Sequence, residues 1–320
     1  MSKFSTTWVF ATLAVFVIFF SLAAPGFFSV IGLRSVALFA SEPLLLAVAE
    51  TFVIISGGID LSVGAVLGFT GVVGALVMRS VWVSSHSLGL SVLVAMLVAV
   101  GLGTALGSIS GVIIAKMRVP PFVVTLGMLG ICRGVTFVLT SGQAIIGLPE
   151  ALGSIGNYAL IGFLPVTTLM SILIISATSV CLSRTPMGRY AFAIGGNRQA
   201  AVRAGVPVAR YTIAIYATSG FLAGWAGLMI LARFATGSPL AGQNSELNAI
   251  AAAVIGGTSL NGGIGSIGGA VAGALIIVVL LVGLVIMNVQ PYWQMAAVGG
   301  ILILAVFFDN LRFGRNLGEA

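Results

Sequence analysis

The chain has 320 residues, of which 59% are hydrophobic and only 7% charged, with a formal charge of +7. A mean hydropathy of +1.20 excludes a soluble globular domain and makes a bilayer the solvent. Two cysteines without metal-like spacing and one histidine, His86 in a polar break, exclude histidine-clustered metal sites and any Ser-His-Asp triad.

Apolar runs separated by polar, Gly/Pro or charged breaks predict an all-α polytopic membrane protein with about ten crossings. They fall near 7 to 24, 33 to 56, 61 to 78, 89 to 115, 120 to 140, 161 to 182, 211 to 232, 246 to 258, 266 to 287 and 293 to 309. The first is read as an uncleaved crossing rather than a signal peptide, and the eighth is short. The runs do not alternate as barrel strands would. With both termini cytoplasmic, Lys3, Lys116, Arg118, Arg184, Arg189, Arg198, Arg203, Arg210, Arg312 and Arg315 fall inside. Arg34, Arg79, Arg133 and Arg233 fall elsewhere, a positive-inside bias that accounts for the net charge through anionic lipid, with no nucleic-acid partner. The whole chain, 1 to 320, reads as one transmembrane domain.

Between the second and third crossings stands "SGGIDLS", where Gly57 and Gly58 permit a tight reversal. Asp60 suits a cap on the next helix, with Ser62 in the same first turn. The alternative is a deeper break with Asp60 facing a path, as in transporters with interrupted helices. "VIGGTSLNGG" (254 to 263) echoes this segment without establishing a repeat. Small residues at helical spacing (Gly64/Gly68, Gly103/Gly107/Gly111, Gly220/Gly224 and Gly269/Gly273) predict close helix approach in a compact bundle.

Arg133 falls inside the fifth run, where a guanidinium needs a partner; Glu246 and Glu50 are the candidates, as a structural ion pair or in a pore. Arg233 and Glu246 flank an outward loop, and Gln143 and Asn244 lie near the same outer face. Cys132 and Cys181 read as buried thiols.

The one extended polar segment, 182 to 211, carries five arginines. Within it Asn197 is a good N-cap, "RQAAVRA" is helix-forming, Gly205 suits a left-handed C′ position and Pro207 stops the helix, predicting about two turns from 198 to 204. So short a helix needs something to pack on. No Gly-Lys-Ser/Thr loop exists to bind ATP, and the literal G-x-G-x-x-G at Gly263, Gly265 and Gly268 lacks its strand and its acidic residue.

"GRYAFAIGGNRQAAVRAGV" resembles the coupling loop of ribose-type ABC sugar importer permeases. "SGGIDLSVGA", "PPFVVTLGMLGICRGVTFVLTSGQ", which contains Thr125, and "ELNAIAAAVIGGTSLNGGIGSIGG" resemble that family's other blocks, in order, from about 25 to 309. The resemblance implies a half-pore in the bacterial inner membrane that pairs with an identical or homologous permease. It also implies two cytoplasmic ATPase subunits, which would hold ATP and Mg, and a periplasmic sugar-binding protein. The chain itself would be no enzyme and would hold no cofactor or metal. Its coupling loop, about 183 to 210, would meet the ATPase through Gly195, Gly196, Asn197, Arg198, Ala200, Ala201, Arg203 and Gly205. Gly57, Gly58, Asp60, Ser62, Thr125, Arg133, Gln143 and Glu246 are pore or gate candidates. An ion- or proton-coupled secondary carrier is the rival; it would need no basic docking loop but would want buried carboxylates, for which Glu42, Glu50, Asp60 and Glu246 are available.

Overall fold

The computed structural model describes residues 3–314, with side chains for 7–301, 303 and 304. The side chains of Lys3 and Arg312, and the whole of Arg315, counted above on the inner side, lie outside the described residues.

The order is α1 (Lys3–Ala23), α2 (Val30–Ile55), α3 (Val63–Ser85), α4 (Leu88–Lys116), α5 (Pro121–Thr140) and α6 (Glu150–Asn157), then the hairpin β1 (Ala159–Ile161) and β2 (Leu164–Pro165). After it come α7 (Val166–Arg184), α8 (Pro186–Gly196), α9 (Arg198–Arg203), α10 (Val208–Phe234), α11 (Ser245–Ile255), α12 (Ile267–Ile286) and α13 (Pro291–Gly314). Seven of them, α2, α3, α4, α5, α7, α10 and α12, are long and apolar enough to cross a bilayer. The chain is a helical, multi-pass membrane protein. The hairpin occupies the start of the predicted sixth crossing, so the spanning helix begins at Val166. α6 and α8 were not anticipated from the sequence.

Local chemistry places the helix starts. Ser29, Ser87 and Ser266 accept hydrogen bonds from the third residue on (Gly32, Leu90 and Gly269), and Pro121 and Pro186 open α5 and α8 without wasting an amide.

α2 is the central post, fully buried from Leu45 through Ala49 and from Phe52 to Ile55. An apolar helix with no polar face belongs in the middle, and α10, α11, α12 and α7 surround it. α4 and α10 make a close glycine seam: a Cβ on Gly107 would press on the Tyr216 carbonyl and come within 3.1 Å of the Gly220 Cα, and one on Gly220 would meet the Gly103 carbonyl. Main chain touches main chain there, which only glycine allows, and van der Waals contact replaces the hydrophobic drive that lipid does not supply.

Candidate functional site

Three chain reversals meet at the end of the bundle that carries α8 and α9. The first is the break after α2. Gly57 has φ +81°, and the Gly58 amide donates to Val53 O at 3.1 Å, six residues closing the helix end. A Cβ on Gly58 would press on the buried Tyr216 hydroxyl.

Asp60 lies in this break, 2% exposed. Its Oδ1 accepts from the Ser62 amide at 3.0 Å and the Ser62 hydroxyl at 2.5 Å, and its Oδ2 accepts from the Ser219 hydroxyl of α10 at 2.7 Å. Ser62 is the residue before α3 and makes no side-chain cap of its own, so the carboxylate ties the approach to the helix rather than its first turn. The Ile59 carbonyl is 3.3 Å from Thr125 Oγ1 on α5 and 3.5 Å from the Tyr216 hydroxyl, though Thr125 lies nearer its own Pro121 carbonyl, at 3.0 Å. Gly57, Gly58, Asp60, Ser62 and Thr125 are therefore brought together. Ser219 lies eleven residues into α10, about 17 Å along its axis at 1.5 Å per residue. The break therefore packs beside the middle of α10 rather than beside its start. Sequence reading missed Ser219 and Tyr216; no signal links them to residues some 160 positions away.

The second reversal, 256–266 between α11 and α12, repeats the first locally: Gly257 has φ +86° and the Thr258 amide donates to Ala253 O at 3.0 Å. Its tip returns to α2 through a Gly263 amide that donates to Ile55 O at 2.8 Å. α11 has 11 residues, about 17 Å, too short to cross the hydrocarbon alone.

The third reversal joins α8 to α9. Asn197 Oδ1 accepts from the Ala200 amide at 2.9 Å, Gly205 takes φ +79°, and the Val206 amide donates to Ala201 O at 3.0 Å, as the sequence predicted within one residue. Ala201 is buried against Ile194 and Val208, which supplies the packing that so short a helix needs. Arg184, Arg189, Arg198, Arg203 and Arg210 are all exposed, as are Gly196 and Ala200. Gly195 is turned inward, onto the two breaks.

Elsewhere the expected pairing is corrected. Arg133 bonds to neither Glu246 nor Glu50; its Nη1 donates to the Pro239 and Ala241 carbonyls at 3.1 and 2.8 Å. Turn carbonyls take the Nη1 donors without an ion pair. Glu246 packs its carboxylate on Gly64, and its Oε2 has no hydrogen-bond partner among the described residues. Glu50 is wholly buried with both carboxyl oxygens in the same condition. Gln143 is exposed at the opposite end, where Ile145 and Gly237 bridge two loops, and is not part of the Asp60 group. At that end Arg233 stacks over Phe39 at 4.0 Å beside a cavity of about 270 Å³ that also takes in Glu42, Ser245 and Asn248. A recess of about 620 Å³ adjoins it at Asn248 and carries the amides of Gln243, Asn244 and Gln294.

A family model described as the permease component of branched-chain amino acid transport systems matches residues 32–306. The chain belongs to this permease family. The permease is 38% identical to the ribose import permease protein RbsC of Haemophilus influenzae, over 94% of this chain and 92% of that one. It is 39% identical to RbsC of Escherichia coli, over 93% and 91%, and 35% identical to the D-allose transport system permease protein AlsC of the same species, over 97% and 92%. No solved structure matches the permease significantly. Membership makes it a transport subunit rather than an enzyme, and it fits the absence of a phosphate-binding loop from the sequence.

Proposed function

We propose that the permease is half of an ATP-driven importer that passes a monosaccharide, unchanged, from the periplasm to the cytoplasm across the bacterial inner membrane. The observation that carries this reading is α9: a capped, two-turn helix with its arginines outward, seated by Ala201 at the end where both breaks lie. High-coverage likeness to ribose and allose permeases supports the sugar class. ATP and Mg then belong to a separate cytoplasmic ATPase that receives Asn197, Arg198, Ala200 and Arg203. A second permease, identical or homologous, completes the pore, and a periplasmic binding protein delivers sugar to the opposite end, where the amide-lined recess offers hydrogen bonds to hydroxyl groups. Asp60, Ser62, Thr125, Gly57 and Gly58 act as gate architecture, and Arg133 holds the 239–241 turn.

The test is to purify the permease with its neighbouring gene products in mild detergent, as wild type and with Arg198→Glu and Arg203→Glu. The expected result is an ATPase that copurifies with the wild type and is lost from the double variant. An ATPase absent from both samples, with transport intact, would sink the reading and favour a secondary carrier using Glu50, Asp60 and Glu246.

A further inference from the structure

Gly195 and Gly196 are neighbours at the end of α8, yet their surroundings are opposite. A Cβ on Gly196 would meet nothing within 4 Å, whereas one on Gly195 would strike the Ile55 carbonyl and come within 2.7 Å of the Gly263 amide nitrogen. Those two groups are themselves hydrogen-bonded at 2.8 Å, and they close the first break onto the second. The same contact is seen from the other side. A Cβ on Gly262 would lie 2.9 Å from the Gly195 carbonyl and 3.1 Å from both the Gly195 and Gly57 Cα atoms, and one on Gly263 would lie 2.9 Å from the Gly196 Cα. Gly57, Gly262 and Gly263 all have positive φ. Thus three segments more than sixty residues apart in sequence touch main chain to main chain at these glycines.

Main-chain contacts of this kind have no flexible side chain to absorb a displacement, and packed interiors transmit strain rather than deform continuously. Asp60, three residues beyond Gly57, is fastened to α10 by Ser219, so movement of the first break is carried into the bundle. The second break leads directly into α12, whose Gly269 and Gly273 lie against Gly256 and Ala252.

We propose that Gly195 is a positioning residue that seats the α8–α9 segment on both helix breaks at once, so that displacement of this segment moves the Asp60 break and the 256–266 break as one body. The proposal rests on the ATPase-coupling reading above. It separates two roles within one Gly-Gly pair: Gly195 faces inward as a bearing, and Gly196 faces outward.

The test compares Gly195→Ala with Gly127→Ala, a position on α5 where a Cβ would meet nothing within 4 Å, in the full assembly of permease, ATPase and binding protein, reconstituted in proteoliposomes. The probe is whichever of D-ribose, D-allose, L-arabinose or D-galactose the wild type transports. For Gly195→Ala we expect the ATPase to copurify and basal hydrolysis to stay within about twofold, while transport and its stimulation by loaded binding protein fall about tenfold, since the added methyl overpacks the junction that links the two breaks. Gly127→Ala should transport within about twofold of wild type. Normal transport by Gly195→Ala, or equal loss in both variants, would overturn the proposal.

Should Gly195→Ala not accumulate, spin labels at Gln199→Cys and Leu260→Cys, both exposed, report on an unaltered junction. Their separation should be the same without nucleotide and in the ATP-trapped state; a shift between the two states would overturn the proposal. A wild type that binds no ATPase and transports none of the sugars defeats the coupling reading instead, and is recognised before any variant is made.

Discussion

At the residue scale, Asp60 is held by three hydrogen bonds, two from its own loop and one from α10. The Ser219 bond alone crosses the bundle, and a buried hydrogen bond to a charged group contributes about 1.5–3 kcal/mol. Ser219→Ala should therefore lower the thermal midpoint in detergent and increase hydrogen exchange at 57–62, without changing attachment of an ATPase. An unchanged midpoint and unchanged exchange would show that Ser219 does not anchor the break. The presence of a special residue at 60 was legible from an aspartate set in hydrocarbon; its partner was not. The same is true of Arg133. That it must be satisfied followed from the cost of an arginine in an apolar run, but carbonyl acceptors at 239 and 241 leave no mark in a sequence, where carboxylates are the visible partners.

At the element scale, α9 was readable almost to the residue because capping is local: Asn197, Gly205 and Pro207 act within one turn of the helix they bound. α8 was not, since "PMGRYAFAIGG" has arginine, two aromatics and two terminal glycines that read as loop, and its helicity comes from Gly188, Ala191 and Ile194 packing inward. Glycine spacing predicted close approaches but not which helices make them. The α4–α10 seam permits a direct check. Gly107→Leu would drive a side chain into the Tyr216 carbonyl, and the overpacking penalty of about 1–3 kcal/mol is here a lower bound because main chain cannot step aside. Gly101, on the same helix, has nothing within 4 Å of its Cβ position. Gly107→Leu should fail to accumulate in membranes while Gly101→Ala accumulates normally; equal yields would disprove the seam.

At the scale of the whole molecule, the hydrophobic pattern located each long helix but not the depth of the reversals between them. α11 shows why: an eleven-residue run, eight of its residues apolar, looks like a weak crossing, whereas the folded chain uses it as a half-length arm whose return loop is supported by α2. The 23 residues of α3 span about 34 Å, which puts His86 at the bundle end opposite the Gly57–Gly195 junction. Membrane-impermeant maleimide should accordingly label His86→Cys from outside intact cells and Gln199→Cys only in inverted vesicles. Background is low because Cys132 is buried and Cys181 partly so. Labelling of both from one side would refute the placement.

The α4–α10 seam also constrains how this protein can change over generations. Where side chains interlock, a larger residue on one helix can be matched by a smaller one opposite. Gly103 and Gly107 press on the carbonyls of Gly220 and Tyr216, and a carbonyl cannot be made smaller. No single compensating substitution across the seam restores a lost glycine, so the two columns can only be inherited together, and a suppressor must arise where it shifts a whole helix.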